Sequence, residues 1–422
     1  MPLAVPRALK PFETPGYRWL SLSLAVSLLA SGVWIVSLVW QVIALGGGPS
    51  EVSLVATASA LGLVLAVLLG GVAADRVPQR RLLIGVEVGR LVAVLAAVGL
   101  DAAGILALWQ LVVLAFVLGV AEAFFFPAYS AILPRLLPPE QLLAANGVEG
   151  ALRPVAQSAA GPAIAGAVIA VAAPSAAFAV AAGGYALALV ALLLMGRVPF
   201  ERVEEADADV GPFRSALRDL REGFDYMRRT RWLLATLLFA IVLVFLVVGP
   251  IEVLVPFAVR DQTGEGASGY ALALTAYGCG GVIGSIVVSS RPIPRRYLTV
   301  MILLWGFGAL PFVFLGLVDQ LWLIALILFV DGVTGAAAQV LWGTLLQQRV
   351  PPALLGRVSS LDFFVSLALM PVSMAVAGPV GEAVGLAPTF AVVGVLAAAA
   401  AVLTLLVARL GPDELAHPLR AG

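Results

Sequence analysis

Asn146, Glu149, Arg153 and Gln157 are spaced +3, +4 and +4, so one face of a helix would carry all four. The residues around them are mostly Ala, Leu, Val and Gly. A charge in such a stretch is costly to bury and marks a candidate site. At about 1.5 Å per residue, Arg153 lies roughly 13 Å past an apolar entry near Ala144. Glu149 stands one turn before it, in the favourable Glu-to-Arg order. Two readings stand: a self-neutralising pair that tolerates burial, or a gating pair whose exchange is linked to binding. A shift of 213 residues lands on Ser359, Asp362, Ser366 and Met370. A second polar stripe therefore matches the first, with Glu149 and Asp362 as equivalents, and two such faces would suit an aqueous pathway.

Glu122 and Asp331 are the other deep carboxylates and are candidate proton carriers, against a purely structural, hydrogen-bonded role. Glu252, between Pro250 and Pro256 in a segment the prolines should kink, reads as a gate or edge residue. Glu87 and Arg90 read as anchors of the charged loop that precedes them. Trp34, Trp40, Phe124, Phe125, Phe126, Trp305 and Trp342 are candidates for an aromatic cavity, with packing or lipid contact as the competing role.

Other chemistry is excluded by what the chain lacks. One cysteine, Cys279, permits no intramolecular disulfide and no cysteine-based metal cluster. One histidine, His417, lies near the end of the chain, so neither a histidine-ligated metal nor a histidine proton relay is expected within apolar segments. No Gly-rich loop ending in Gly-Lys-Ser/Thr is present to hold ATP. No catalytic triad stands out. The chain reads as a non-enzyme without catalytic residues, metal, cofactor or nucleic-acid partner.

The elements that must position these residues are membrane helices. The chain is 61 % hydrophobic and 12 % charged over 422 residues, about half the usual charged share, with a mean hydropathy of +1.05. Apolar stretches of about 20 residues are long enough to cross a bilayer as helices. Twelve are expected, near 17–44, 51–74, 82–100, 105–129, 141–171, 175–195, 232–259, 267–290, 297–317, 320–349, 356–382 and 387–409. The opening "MPLAVPRALKPFETPGYR" is polar and proline-broken, unlike a cleavable signal. Lysine and arginine cluster on one face: before span 1, after spans 2, 4, 8, 10 and 12, and in the loop 197–231. Arg260 alone falls on the opposite face. The basic face is read as cytoplasmic, with both termini on it. In the long loop, Phe213, Leu217, Leu220, Phe224 and Met227 form a helical stripe flanked by arginines, which suits an interfacial helix on anionic headgroups, or else a solvated linker.

The chain also repeats itself. "RWL" occurs at 18–20 and 231–233, "LPPEQLL" at 137–143 pairs with "VPPALLG" at 350–356, and "RVPQRR" at 76–81 with "RPIPRR" at 291–296. "AGP" at 160–162 recurs at 377–379. Four matches in order at nearly constant offset predict two six-helix halves, 1–196 and 232–422, joined by a linker at 197–231. Such proteins hold their ligand near the midplane and work by rocking.

"GGVAADRVPQRR" resembles the cytoplasmic loop signature of the major facilitator superfamily, Gly-x-x-x-Asp-Arg-x-Gly-Arg-Arg, with Pro78 and Gln79 departing from it. The stretch "FFFPAYSAILPRLLPPEQLLAANGVEGALRPVAQSAAGPAIAG" is similar to spans 4 and 5 of its bacterial exporter branch, the group of the enterobactin exporter and macrolide efflux proteins. Gly161, Pro162 and Gly166 resemble the antiporter motif of span 5, with Gly378 and Pro379 in the second half; close helix packing is the alternative. The span-4 arginine of many drug/proton antiporters is missing, and Glu122 is the charge there.

The resemblance implies an all-α integral membrane fold of twelve transmembrane helices in two pseudo-symmetric halves. It implies a secondary active exporter of amphiphilic small molecules, drug or siderophore-like, driven by proton antiport. It places a monomer in the bacterial inner membrane, with protons and membrane lipids as partners. Asp75, Arg76, Arg80 and Arg81 would form a latch with Gly356 and Arg357 at the start of span 11. A lysophospholipid flippase and a transport-silent membrane sensor are the alternatives.

Overall fold

The computed structural model describes residues 7–196, 198, 221 and 224–418. Among them the ordered elements are helices, and twelve stretches are long and apolar enough to cross a membrane. Twelve were expected, and the all-helical, twelve-span fold is borne out. Most of the 213–227 stripe lies outside the described residues; of its members, Phe224 is exposed and Met227 is buried in the core.

The first six spans are α1 (Pro15–Ala44), α2 (Pro49–Arg76), α3 (Gln79–Ala102), α4 (Leu108–Leu136), the compound span α5 (Pro139–Leu152) with α6 (Gly161–Val171), and α7 (Pro174–Leu194). The last six begin with α8 (Arg231–Gly249), continued by the short α9 (Val255–Ala258), and α10 (Ala267–Ser289). They continue with α11 (Tyr297–Gly308), α12 (Leu321–Arg349), α13 (Pro352–Leu367) with α14 (Met370–Val384), and α15 (Leu386–Ala408). A final helix, α16 (Leu410–Ala416), follows. Proline opens α1, α2, α5, α7 and α13, where the missing N–H is no loss because first-turn donors have no helical partner.

Spans 5 and 11 are interrupted at matching positions. Between α5 and α6 the chain adopts a π-helix over Arg153–Ala160, where Pro154 cannot donate to the α-ladder. Residues 368 and 369 break α13 from α14 in span 11, at the position the 213-residue shift assigns to that π-turn. Span 7 carries two further π-turns, Pro250–Leu254 and Val259–Thr263, on either side of α9.

The chain forms two compact units, Met1–Val203 with Glu265–Thr275, and Glu204–Gly264 with Ala276–Gly422. Glu265–Thr275 thus packs with the first unit: the Thr275 hydroxyl donates to the Ala159 carbonyl at 3.1 Å, and Tyr270 stacks on Trp40 at 5.6 Å.

Each unit is tied by backbone-to-backbone helix contact at glycines, and the two sets correspond. In the first, a Cβ at Gly62 of α2 would collide with the Phe116 carbonyl of α4, and one at Gly119 with the Ser59 carbonyl. In the second, Gly280 of α10 faces the Phe329 carbonyl and Gly332 of α12 the Tyr277 carbonyl. Spans 2 and 8 match at a shift of 218, spans 4 and 10 at 213. Gly32 against the Gln157 carbonyl and Gly249 against the Ser373 carbonyl repeat the relation for spans 1 with 5 and 7 with 11. The turn after span 1 uses Gly46 at φ 86° and that after span 7 uses Gly264 at φ 71°, left-handed positions that favour glycine.

Candidate functional site

The strongest concentration of buried charge lies in the first unit, on α1, α3 and α4. Arg90 and Glu87 are three residues apart on α3, at 3 % and 0 % side-chain exposure. Glu122 on α4 is 25 % exposed and forms an ion pair with the Arg90 guanidinium through Nη2. Ser27 on α1 joins them. Its hydroxyl donates to Glu87 Oε1 at 2.7 Å and accepts from Arg90 Nη1 at 2.9 Å. Arg90 Nη1 also lies 3.4 Å from Glu87 Oε1.

The guanidinium stands 4.6 Å from the Phe125 ring centre and 5.8 Å from that of Tyr185, so aromatic faces replace part of its lost hydration. Glu87 Oε2 is buried, and no group among the described residues donates to it.

Among the described residues the second unit has no counterpart. At the shift of the loop repeat, Glu87 and Arg90 correspond to Ile302 and Trp305; at the shift of span 4, Glu122 corresponds to Gly335. Ile302 is buried in that unit's core, with Trp305 packed against it. The same packing is thus met by apolar residues where the charges are absent. Sequence reading placed Glu87 and Arg90 as loop anchors; the structure instead buries both and joins them to Glu122. The available signal was their i,i+3 spacing inside an apolar span.

Of the span-5 residues, Glu149 and Arg153 come together, on a more open surface than the cluster. Glu149 and Arg153 approach to 3.7 Å at 20 % and 44 % exposure. Arg153 also lies 3.8 Å from the Phe126 ring centre. Asn146 is exposed, and Gln157 is half-buried inside the π-turn. Asp362, the counterpart of Glu149, holds different partners: Trp342 Nε1 donates to Oδ2 at 3.0 Å, and the Ser366 hydroxyl donates to Oδ1 at 3.3 Å. Asp331 is half-buried beside Gly332, and no side chain among the described residues bonds its carboxylate. Trp34 is buried against Phe178 at 4.9 Å, and Trp342 is buried beside Trp232, so these aromatics pack rather than line open space.

The charged loop after α2 is fixed by Arg80, which donates from Nε to the Leu192 carbonyl at 3.1 Å and from Nη2 to that of Leu193 at 2.9 Å. It thereby caps the last turn of α7, where free carbonyls accumulate. Arg76 and Arg81 are exposed. The side chains of Asp75 and Arg357 lie outside the described residues, as does the latch expected of them with Gly356.

Gly161 packs on Gly32 and the Leu29 carbonyl of α1, with Pro162 buried beside it. Gly166 meets Ala271, and Gly378 is buried in α14, which Pro379 interrupts as a donor. Close helix approach is therefore what these small residues provide here.

Twelve apolar spans in two units of matching helix contacts, with a charge cluster set into one of them, define a multi-pass membrane protein. Residues 20–372 match the Major Facilitator Superfamily, and the chain belongs to that family of transporters, not of enzymes. Among curated relatives, Macrolide efflux protein A of Streptococcus pyogenes is 23 % identical over 385 residues, 88 % of this chain and 91 % of that protein. Multidrug efflux pump Tap of Mycobacterium tuberculosis is 26 % identical over 372 residues, 85 % of each.

Solved structures of like fold include a POT family transporter in complex with 5-aminolevulinic acid, at TM-score 0.72 and 15 % identity, covering 94 % of this chain and 95 % of that one. A bacterial homolog of the human lysosomal transporter Spinster gives 0.69 at 16 %, covering 97 % and 99 %. At such identities the likeness is one of fold.

Proposed function

We propose that the protein is a secondary active exporter of amphiphilic small molecules, drug or siderophore-like, working by alternating access and proton antiport. It would sit in a bacterial inner membrane with both termini on the cytoplasmic, basic face. The observation that carries this reading is the Glu87–Arg90–Glu122 cluster, which has no counterpart among the described residues of the second unit. With both carboxylates ionised the cluster holds one net negative charge, and one bound proton makes it neutral. Glu122 is its accessible member and is the residue through which a proton or a cationic cargo would enter. When Glu122 takes a proton it releases the Arg90 guanidinium, which Glu87 and Ser27 still hold. A charge change is thereby linked to a change in contact between α3 and α4. The names of the efflux relatives support the direction of transport and the class of cargo.

Reconstituted protein in proteoliposomes, given a lipophilic cationic dye or a macrolide, tests the reading. Uptake into inside-out vesicles should follow an imposed pH gradient, and Glu122→Gln should abolish that dependence. Flux indifferent to the gradient in the unaltered protein would remove proton coupling, and translocation of lysophospholipid alone would replace the cargo class.

A further inference from the structure

In the second unit α8, α11 and α15 enclose an apolar groove of about 870 Å3, walled by Val242, Phe245, Phe307, Leu396, Ala399 and Leu403. Phe245, Phe307, Leu396 and Leu403 are exposed along it. The wall given by α15 runs from Leu396 to Leu406, about 15 Å at 1.5 Å per residue. That is the depth of one leaflet in a hydrocarbon core of ~30 Å.

The groove ends at the basic face. Arg231 in the first turn of α8 crosses to the last turn of α15, where its Nη2 donates to the Val407 carbonyl at 3.2 Å. Arg228 and Arg229 precede it, Arg409 follows α15, and all four are exposed. Arg409 takes a left-handed backbone, φ 49°, directly after the helix. Asp225 is the acidic side chain of the α8 approach. Asp413 and Glu414 of α16 are held by Arg349 and Thr299 instead.

We propose that this groove binds an anionic phospholipid from the leaflet at the basic face. One acyl chain lies along α15, and Arg231 and Arg409 hold the phosphate. Length and charge together select this occupant: an apolar trough one leaflet deep, closed at the headgroup level by arginines. The site is separate from the charge cluster of the first unit and does not depend on the transport reading.

The test is native mass spectrometry of the full chain equilibrated with equal amounts of phosphatidylglycerol and phosphatidylcholine. Phosphatidylglycerol should be retained in preference, and each of Arg231→Gln and Arg409→Gln should lower its retention roughly fivefold. Ala399→Phe, which fills the groove from an exposed position, should displace the lipid. Val395→Phe, exposed on α15 outside the groove, should retain it, which separates groove filling from a general effect of bulk. Equal retention of the two lipids by the unaltered protein would overturn the proposal, as would undiminished retention by Ala399→Phe. So would a dimer that Ala399→Phe dissociates, since the occupant would then be a second copy of the chain.

Discussion

Arg90 on α3 and Glu122 on α4 form an ion pair across 32 residues of sequence, with Arg90 almost fully enclosed and Glu122 open to one side. Removing the arginine alone leaves two carboxylates without their cation. Arg90→Met should therefore cost about 3–5 kcal/mol, the usual penalty for stranding a buried charge. The triple change Glu87→Leu, Arg90→Met, Glu122→Leu should recover most of that stability, as the second unit does with Ile302 and Trp305. It should nonetheless lose gradient-driven transport. Thermal unfolding in detergent and proteoliposome flux measure the two halves of this prediction. A triple variant that still follows the pH gradient would separate the cluster from coupling.

Adjacent glycines in α2 should behave differently. A Cβ at Gly70 would collide with the Ala123 carbonyl of α4, whereas one at Gly71 meets nothing within 4 Å. Gly70→Ala should destabilise by about 1–3 kcal/mol through overpacking. Gly71→Ala should be neutral or stabilise by up to ~1 kcal/mol, since alanine is the better helix former. Paired unfolding curves decide it, and equal effects at both positions would contradict the helix crossing described.

The short helix α16 is pinned to α11 and the end of α12. Arg349 Nη1 lies 2.5 Å from Asp413 Oδ2 and donates to the Tyr297 hydroxyl at 3.2 Å. The Thr299 amide and hydroxyl donate to Glu414 at 3.0 and 2.6 Å. Asp413→Asn together with Glu414→Gln should free α16 and speed proteolytic trimming at the C-terminus. Because Asp413 is 31 % exposed, its own share of stability should stay near ~1 kcal/mol. Unchanged trimming would mean that apolar contact, chiefly buried Leu410, holds the helix.

Resemblance to the loop signature would assign Asp75 the role of a latch. Asp75→Asn should reduce transport severalfold while membrane insertion and expression stay normal. Full flux in a correctly inserted Asp75→Asn variant would leave the loop as a topology anchor, a task its arginines perform without the acid.

Much of this arrangement is legible in the sequence because membrane helices are written in composition and length. Twelve apolar stretches, the basic face and the two-fold repeat depend only on local hydropathy and counting. The Glu149–Arg153 pair is equally local, since helical spacing alone brings its members together. The Glu87–Arg90–Glu122 cluster is different. Its closing contact joins spans 3 and 4, and no periodicity reports which face of α3 meets α4. Depth misled as well: Arg90 is nine residues from Arg81, close enough to read as part of the loop, yet it is turned inward. The π-turns escaped because a proline in a helix signals a break without saying how the chain accommodates it. Pro154 and Pro250 open π-turns, while Pro127 and Pro134 stay within α4.

The π-turn at Arg153–Ala160 also sets the phase of span 5. Wider turns let the stripe of Glu149 and Arg153 above it, and the glycines of α6 below it, each face a chosen neighbour. One residue fewer in an α-helix rotates everything beyond it by about 100°. The π-turn takes up one residue more than the α-ladder would over the same stretch, so deleting Ser158 alone should rewind it as α-helix with Arg153 still near Phe126 and Gly161 still against α1. Span 5 should thus tolerate the loss of one residue inside the π-turn, whereas the same loss within α5 should rotate its flanking faces by about 100°.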